Sequence, residues 1–341
     1  MAEQMATTPD YNYDYGNDST NKSIHSNQAE SPEHCKDAAC VITVLFNVIL
    51  FVLGIFGNGA VIWITGFKMN KSVNTTWYLS LALSDFIFCA TLFLTVDYMV
   101  KNSWTFGLFM CKFSSFAMTL NMYSSIFILA IISMDRCITV KFPVWAQNQR
   151  TVQKAYVVVV LVWIMSSLLS IPPAKFREIL DITTRVICYN NYENHQKTIV
   201  LLRFTFGFCI PFMTIFTCYS VLISKLRTNQ ISKSTKPYKI MSILIASFFI
   251  CWLPYQILSV LELGRSEHSD AFKTAQQVSA ALASANSCLN PFLYAFMAKD
   301  LKKKCYSFLS KIESAIDEET RTAFRATSIT NSVDHRNSTA I

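Results

Sequence analysis

The chain has 341 residues, 52% of them hydrophobic and only 15% charged, with a formal net charge of +8. Soluble globular domains usually carry about 25% charged residues, and here the charges gather in short islands between long apolar runs. That pattern excludes an ordinary soluble domain, and the basic excess suits an inner face set against anionic lipid rather than nucleic acid.

In chain order, the first forty residues are polar and acidic. They lack an apolar core behind a basic segment, so no cleavable signal peptide is read and the first span is expected to act as its own anchor. Their composition predicts a disordered tail over 1–40. Within it "DYNYDYGND" alternates tyrosines with acids, which makes Tyr11, Tyr13 and Tyr15 candidates for sulfation that would attract a basic ligand. Asn17 and Asn21 lie in glycosylation sequons. Asn70, Asn74 and Asn337 match too, but sit at a span or on the expected cytoplasmic side.

Seven apolar runs follow, at 41–67, 76–100, 109–134, 155–173, 198–222, 239–261 and 274–297. Segments of roughly 20 apolar residues cross a bilayer core as helices. A chain this short with seven of them has nothing soluble to bury them in. The expected fold is therefore an all-α membrane protein, a seven-transmembrane helix bundle over 41–297. Basic residues flank alternate connections: Lys68 and Lys71; Arg136, Lys141, Arg150 and Lys154; Lys225, Arg227, Lys233, Lys236 and Lys239; and Lys302 to Lys304. Such connections face the cytosol, although Lys175, Arg177 and Arg185 fall on the other side. An odd number of spans then places the N-terminus outside and the C-terminus inside a multi-pass plasma-membrane protein.

Eleven cysteines contain no CxxC pair and the five histidines are scattered, so no metal pattern is read. Most of the cysteines lie in spans as small apolar packing residues. Cys111 opens the third span and Cys188 sits in the second outer loop, both on the oxidising side, and a disulfide there is expected to tie the loop to the third helix. Cys35 and Cys40 are also outside and could pair locally, bond elsewhere or stay free.

Ionisable and amide side chains inside a span are costly, and each is a functional candidate. Asp85 lies mid-span in "LSLALSDF"; Asn121 and Ser125 share a face of the third span, one turn apart; Asn286, Ser287 and Asn290 do the same in the seventh. Together they could line a hydrated cavity for a small cation such as sodium, or act as hydrogen-bonding glue between helices. Pro172, Pro173, Pro211, Pro254 and Pro291 interrupt spans, and a proline kink is a natural pivot for hinged motion. Past the last span, 298–312 reads as an interfacial amphipathic helix with a lysine face, in which Cys305 is a palmitoylation candidate against a free thiol. The remaining 313–341 is a Ser- and Thr-rich disordered tail suited to phosphorylation-controlled binding of a cytosolic partner.

These residues together resemble a class A (rhodopsin-like) G-protein-coupled receptor over roughly 40–310. The resemblance rests on Gly57–Asn58, Asp85, "WTFG" at 104–107, Cys111, "DRC" at 135–137, Trp163, Pro211 with Tyr219, "CWLP" at 251–254 and "NPFLY" at 290–294. More narrowly, "DRCITVKFPVWAQNQRTV", "FREILDITTRVICYNNY" and "ANSCLNPFLYAFMAKD" look like the chemoattractant branch. That branch holds the chemerin, formyl-peptide and complement anaphylatoxin receptors, and the chemerin receptors are the nearest match. The usual DRY appears here as DRC, a variant shared by that branch. Asn290 stands where many peptide receptors have Asp, which alters the ion cavity without removing it.

The resemblance implies an extracellular peptide or small-protein agonist, a heterotrimeric G protein of the inhibitory class, arrestin and receptor kinases as partners, and a role in leukocyte chemotaxis and inflammation. It implies that Asp135 holds Arg136 in the resting state. On activation the sixth helix swings about Pro254, and Arg136 turns toward a G-protein tail near Tyr219 and Tyr294. Trp252 passes the signal to a packed trio of Phe248, Ile126 and Pro211. Arg203, about 9 Å below the outer end of the fifth span at 1.5 Å per residue, is the expected anchor for an agonist carboxylate. Glu262, Tyr255, Met118, Asp97 and Gln276 complete the candidate pocket. Formyl-peptide receptors carry an acid where Thr119 stands, which counts against formyl-methionine recognition. A transporter would need charged midplane residues and internal repeats, and neither is found. An atypical receptor without G-protein output is disfavoured by the intact Asp135–Arg136 and NPFLY motifs. No nucleophile–base pair suggests an enzyme.

Overall fold

The computed structural model describes residues 38–183, 185–192, 195–228, 236–264 and 269–297. Tyr11, Tyr13, Tyr15, Asn17, Asn21, Cys305, the helix expected over 298–312 and the tail beyond it lie outside the described residues.

Helix α1, Ala38–Trp63, continues into a single π turn at Ile64–Lys68. Helix α2, Val73–Lys101, starts on a capping box: the Thr75 N–H donates to Ser72 Oγ (3.2 Å) and the Ser72 N–H donates to Thr75 Oγ1 (2.8 Å). It stops at Asn102, whose φ of 50° is left-handed, a conformation asparagine tolerates. Helix α3, Gly107–Lys141, has 35 residues and so runs roughly 50 Å, well beyond a hydrocarbon core of about 30 Å. Asp135 and Arg136 are therefore inside α3, just under two turns from its end. The apolar run marks the membrane, and the helix outlasts it.

Short α4, Pro143–Gln149, has its proline at the start, where no N–H is needed. Helix α5, Val152–Lys175, is capped by Thr151 and holds Pro172 and Pro173 in its last turn. Next comes an element the sequence reading treated as a loop. Strands β1, Arg177–Ile182, and β2, Arg185–Asn190, pair antiparallel with Ile179 opposite Cys188. Helix α6, Gln196–Phe204, a π turn at Thr205–Cys209, and α7, Ile210–Thr228, follow without a break. The π turn sends the Ile210 N–H to Thr205 O and stands just before Pro211, which has no N–H to offer. Helices α8, Lys236–Glu262, and α9, Asp270–Met297, close the bundle, with Pro254 and Pro291 inside them.

Among the described residues, six helical stretches are long and apolar enough to cross a membrane. Helix α9 has the length, 28 residues, but its serines, glutamines and asparagines lower its apolarity because one face turns to the interior. The chain is a multi-pass helical membrane protein. Helix α3 is its axis: 72% of its most apolar window is buried inside the bundle, against 17% for the first span and 22% for α5. It packs on α2, α5, α7 and α8, and Met122, Tyr123, Ile126, Phe248 and Trp252 share its core. Leu45, Leu161, Phe216 and Ile250 face outward, as lipid permits. Gly54 lets α1, α2 and α9 close up, since a Cβ there would overlap the Cys89 sulfur.

Candidate functional site

At the end of the bundle carrying the hairpin, Cys111 and Cys188 are disulfide-bonded, with Cα atoms 5.9 Å apart. The Trp104 backbone N–H donates to Val186 O (2.8 Å) and its indole donates to Gly107 O (2.8 Å), which fixes the hairpin over the start of α3. Cys40 is also disulfide-bonded.

Beneath the hairpin sits Arg203, at the end of α6 and only 7% exposed. It donates to Tyr255 Oη (3.3 Å), and its guanidinium carbon lies 4.9 Å from the Tyr255 ring centre, a cation–π contact. Its Nε is buried without a partner. Arg177, noted in the sequence only as a loop charge, donates to Cys188 O (3.5 Å). Burial pulls the Arg177 guanidinium pKa down, while Tyr192, Tyr255 and Tyr98 oppose that shift. Burial raises the Tyr192 hydroxyl, and Arg203 counters it. Among the described residues neither Arg203 nor Arg177 is ion-paired with a carboxylate.

The other expected pocket residues divide. Glu262, at the end of α8, accepts from Gln276 Nε2 (2.8 Å), so α8 and α9 are latched there. Met118 is half-buried between two apolar clusters. Asp97 is occupied on its own helix, ion-paired to Lys101 (2.7 Å) and accepting from Thr105 (3.3 Å). Thr119 turns its hydroxyl back to Ser115 O and Phe116 O.

In the middle, Trp252 stacks on Phe248 (centroids 6.0 Å apart) and meets Tyr255 edge-on (6.1 Å). Phe248 and Ile126 are fully buried in one core, and Pro211 is buried as well. Met122 accepts a contact from Gln256 Nε2 (3.2 Å) on α8, and a Cβ on Gly207 would come within 2.8 Å of its methyl. Neither contact was legible in sequence, because Met122 and Gln256 fit no polar or apolar stripe that singles them out.

Asp85 is fully buried. It accepts from Asn121 Nδ2 (2.7 Å) and Asn290 Nδ2 (2.8 Å), while Ser287 Oγ donates to Asn121 Oδ1 (3.0 Å). Ser125 Oγ and Asn286 Oδ1 are buried without partners, as is Asn58 Oδ1, whose amide nitrogen donates to Gly54 O and Ser287 O. One carboxylate with spare neutral oxygens suits a hard, small cation, so the residues present fit a sodium ion.

At the opposite end, the expected Asp135–Arg136 pair is there at 3.3 Å, but it is not the tighter one. Arg150 grips Asp135 through Nε (2.7 Å) and Nη2 (3.0 Å), a two-pronged contact stronger than a single one. Arg136 and Arg150 both donate to Asn74 Oδ1, Arg150 at 2.6 Å. Asp135 is thus shared between two arginines, rather than held by Arg136 alone as expected from the sequence. The correction comes from α4, whose two turns bring Arg150 back beside α3. Tyr219 accepts from Ser242 Oγ (3.4 Å) across α7 and α8. Pro291 is buried in α9, and Tyr294 lies on that helix with its side chain outside the described residues.

A seven-helix bundle with this polar interior defines a receptor-type membrane protein, and the family comparison agrees. The model of the 7 transmembrane receptor (rhodopsin family) matches residues 57–294, and the chain belongs to that family, which is one of signalling receptors. Chemerin-like receptor 1 of Sus scrofa is 37% identical over 335 residues, covering 91% of this chain and 92% of that protein. Chemerin-like receptor 2 of Mus musculus is 39% identical, with 80% of each chain covered. Formyl peptide receptor 2 of Mus musculus is 36% identical over 92% of this chain and 97% of its own.

Proposed function

We propose that this chain is a plasma-membrane chemoattractant receptor, with its N-terminus outside and its C-terminus in the cytosol. It binds a peptide or small-protein agonist of the chemerin type and activates a heterotrimeric G protein of the inhibitory class, in leukocyte chemotaxis and inflammation. The similarity to chemerin-like and formyl peptide receptors supports the class of ligand. The observation that carries the reading is Arg203, a guanidinium buried among tyrosines with no ion-paired carboxylate among the described residues. A buried charge without a counter-ion is costly, and an agonist's terminal carboxylate is its complement, matched by the planar fork of arginine. Arg177 adds a second cation at the same end.

From Arg203 the contact runs through Tyr255 to Trp252 and Phe248, all on the helix that carries Pro254. An agonist pulling on Arg203 therefore acts on α8. An outward swing of α8 about Pro254 opens the Asp135 end, where Arg136 leaves Asp135 and Asn74 for a G-protein tail. Asp85, with Asn121, Ser125, Asn286, Ser287 and Asn290, would hold a sodium ion, whose charge would offset the buried carboxylate and so favour the resting packing of α2, α3 and α9. The polybasic segment after α9 lies on anionic lipid, and the Ser- and Thr-rich tail is the substrate of receptor kinases and the docking point of arrestin.

Calcium and cAMP responses of cells expressing the chain decide this, with chemerin C-terminal, formyl and anaphylatoxin peptides compared. The chemerin peptide is expected to act, and Arg203→Ala to lose the response at equal surface expression. Internalisation of the peptide with no nucleotide exchange would instead assign a scavenging receptor.

A further inference from the structure

Among the described residues, four of the free cysteines meet in two pairs. The thiol of Cys218 on α7 is hydrogen-bonded to that of Cys137 on α3, where the two helices pack together. Cys89 on α2 and Cys288 on α9 make the same kind of contact. The surroundings of the two pairs differ. Cys89 and Cys288 are buried in a cluster with Leu50, Phe88 and Leu92, and the Cys288 thiol also donates to Leu50 O (3.0 Å). Cys137 and Cys218 are only half-buried, and they adjoin Arg136 and Tyr219 in the chain.

We propose that Cys137 and Cys218 are a reversible modification site, oxidised to a disulfide by a peroxide and reduced by a small thiol, which ties α7 to α3. A disulfide requires its Cβ atoms to lie about 3.5–4.5 Å apart, and thiols already in contact across two helices need little backbone movement to bond. Partial exposure admits the oxidant and the water that a thiolate requires, both of which an apolar cluster withholds. One thiolate attacks a peroxide oxygen; the O–O bond breaks, hydroxide leaves and a sulfenic acid remains. The proton lost from that thiol joins the hydroxide. The second thiol then attacks the oxidised sulfur, the S–S bond forms and a second water leaves. Two thiols are oxidised and one peroxide is reduced to two waters. Two molecules of a thiol such as glutathione reverse the change by exchange and depart as their own disulfide. The Asp135 end faces the cytosol in the proposed orientation, a compartment where disulfides are transient and redox-sensing rather than structural. That compartment rests on the proposed function, whereas the thiol contact does not. The bond fixes the residue next to Tyr219, whose hydroxyl accepts from Ser242 of α8, so the thiol state reaches three helices.

The test treats the full chain in lipid nanodiscs with hydrogen peroxide, blocks the remaining thiols with an alkylating reagent and reads the cysteine peptides by mass spectrometry. The expected result is a linked Cys137–Cys218 peptide, two hydrogens lighter than its parts, which disappears on treatment with glutathione. Cys89 and Cys288 are expected to stay thiols. Cys218→Ser is expected to lose the link and to leave Cys137 as a sulfenic acid that dimedone traps. Cys137→Ser leaves Cys218 in that state and serves where Cys218→Ser does not fold. The link is also expected to raise the thermal midpoint of the wild-type receptor, because a cross-link restricts the unfolded chain, and Cys218→Ser should lose that shift. A folded wild-type chain in which both thiols stay free, or are oxidised to sulfinic acids without linking, overturns the proposal. Preferential linking of Cys89 to Cys288 overturns it too, as does a Cys137–Cys218 link that glutathione leaves intact. None of these readouts requires an agonist or a G protein, so a failure of coupling and a failure of the thiol site are told apart.

Discussion

At the hairpin end two arginines, Arg177 and Arg203, meet tyrosines and a backbone carbonyl but no carboxylate among the described residues; at the other end Arg136 and Arg150 share one carboxylate, Asp135, and one amide, Asn74. The first arrangement holds its cations without a carboxylate among the described residues, which is why an external anion is proposed for it. The second sets two cations on one carboxylate, with Arg136 Nε buried and unpartnered, and it is built from competing donors that can be redistributed at small cost. The first end lacks an internal anion among the described residues, whereas the second has one for which two cations compete. Between them Asp85 is neither: its two amide donors come from α3 and α9, so it binds α2, α3 and α9 together.

The comparison breaks most sharply at Arg203. Arg203→Ala removes the unmet charge, and the expected loss is about 2–5 kcal/mol of agonist binding, the range for truncating one partner of a buried charged pair. Radioligand competition at matched receptor number reads it, and Arg203→Lys is expected to recover little because an ammonium cannot replace the fork. A packing variant away from both ends should act on stability alone. Gly54→Ala drives a Cβ into Cys89 and is expected to cost about 1–3 kcal/mol, seen as a lower thermal midpoint of the purified receptor with agonist selectivity unchanged.

The output end is expected to respond with two signs. Asp135→Asn frees both arginines and should raise basal nucleotide exchange, whereas Arg150→Ala leaves Asp135 wholly to Arg136 and should lower it. Each change is about 1 kcal/mol, the upper range for a partly solvated pair, or roughly fivefold in GTPγS binding without agonist. Equal effects of the same sign would mean that Arg150 and Arg136 do not compete. The smallest change is Tyr255→Phe, which keeps the ring over Arg203 and removes the hydroxyl acceptor. The expected loss is about 0.5–1.5 kcal/mol in agonist affinity, measured against Tyr255→Ala, which loses the cation–π contact too.

Much of the interior was legible because a polar residue inside an apolar run is conspicuous. Asp85, Asn121, Ser287 and Asn290 stood out for that reason and do join into one network. Residues in polar surroundings gave no such contrast. Arg150 and Arg177 read as ordinary loop charges, and Asn74 was noticed only as a sequon on the wrong side of the membrane. The β1–β2 hairpin had only a weak signal, two short runs rich in Ile and Val in "REILDITTRVICYN" without strict alternation.

The linear order of apolar runs and basic flanks determined the fold class by itself, because in a bilayer every backbone polar group must be bonded within its own helix. A helical solution follows before any helix meets another. Which charges meet was decided only when the helices packed. Arg150 lies fifteen positions from Asp135 and Tyr255 lies fifty-two from Arg203, and no local rule couples such distances. Their pairing depends on the close approach of α3 to α4 and of α6 to α8.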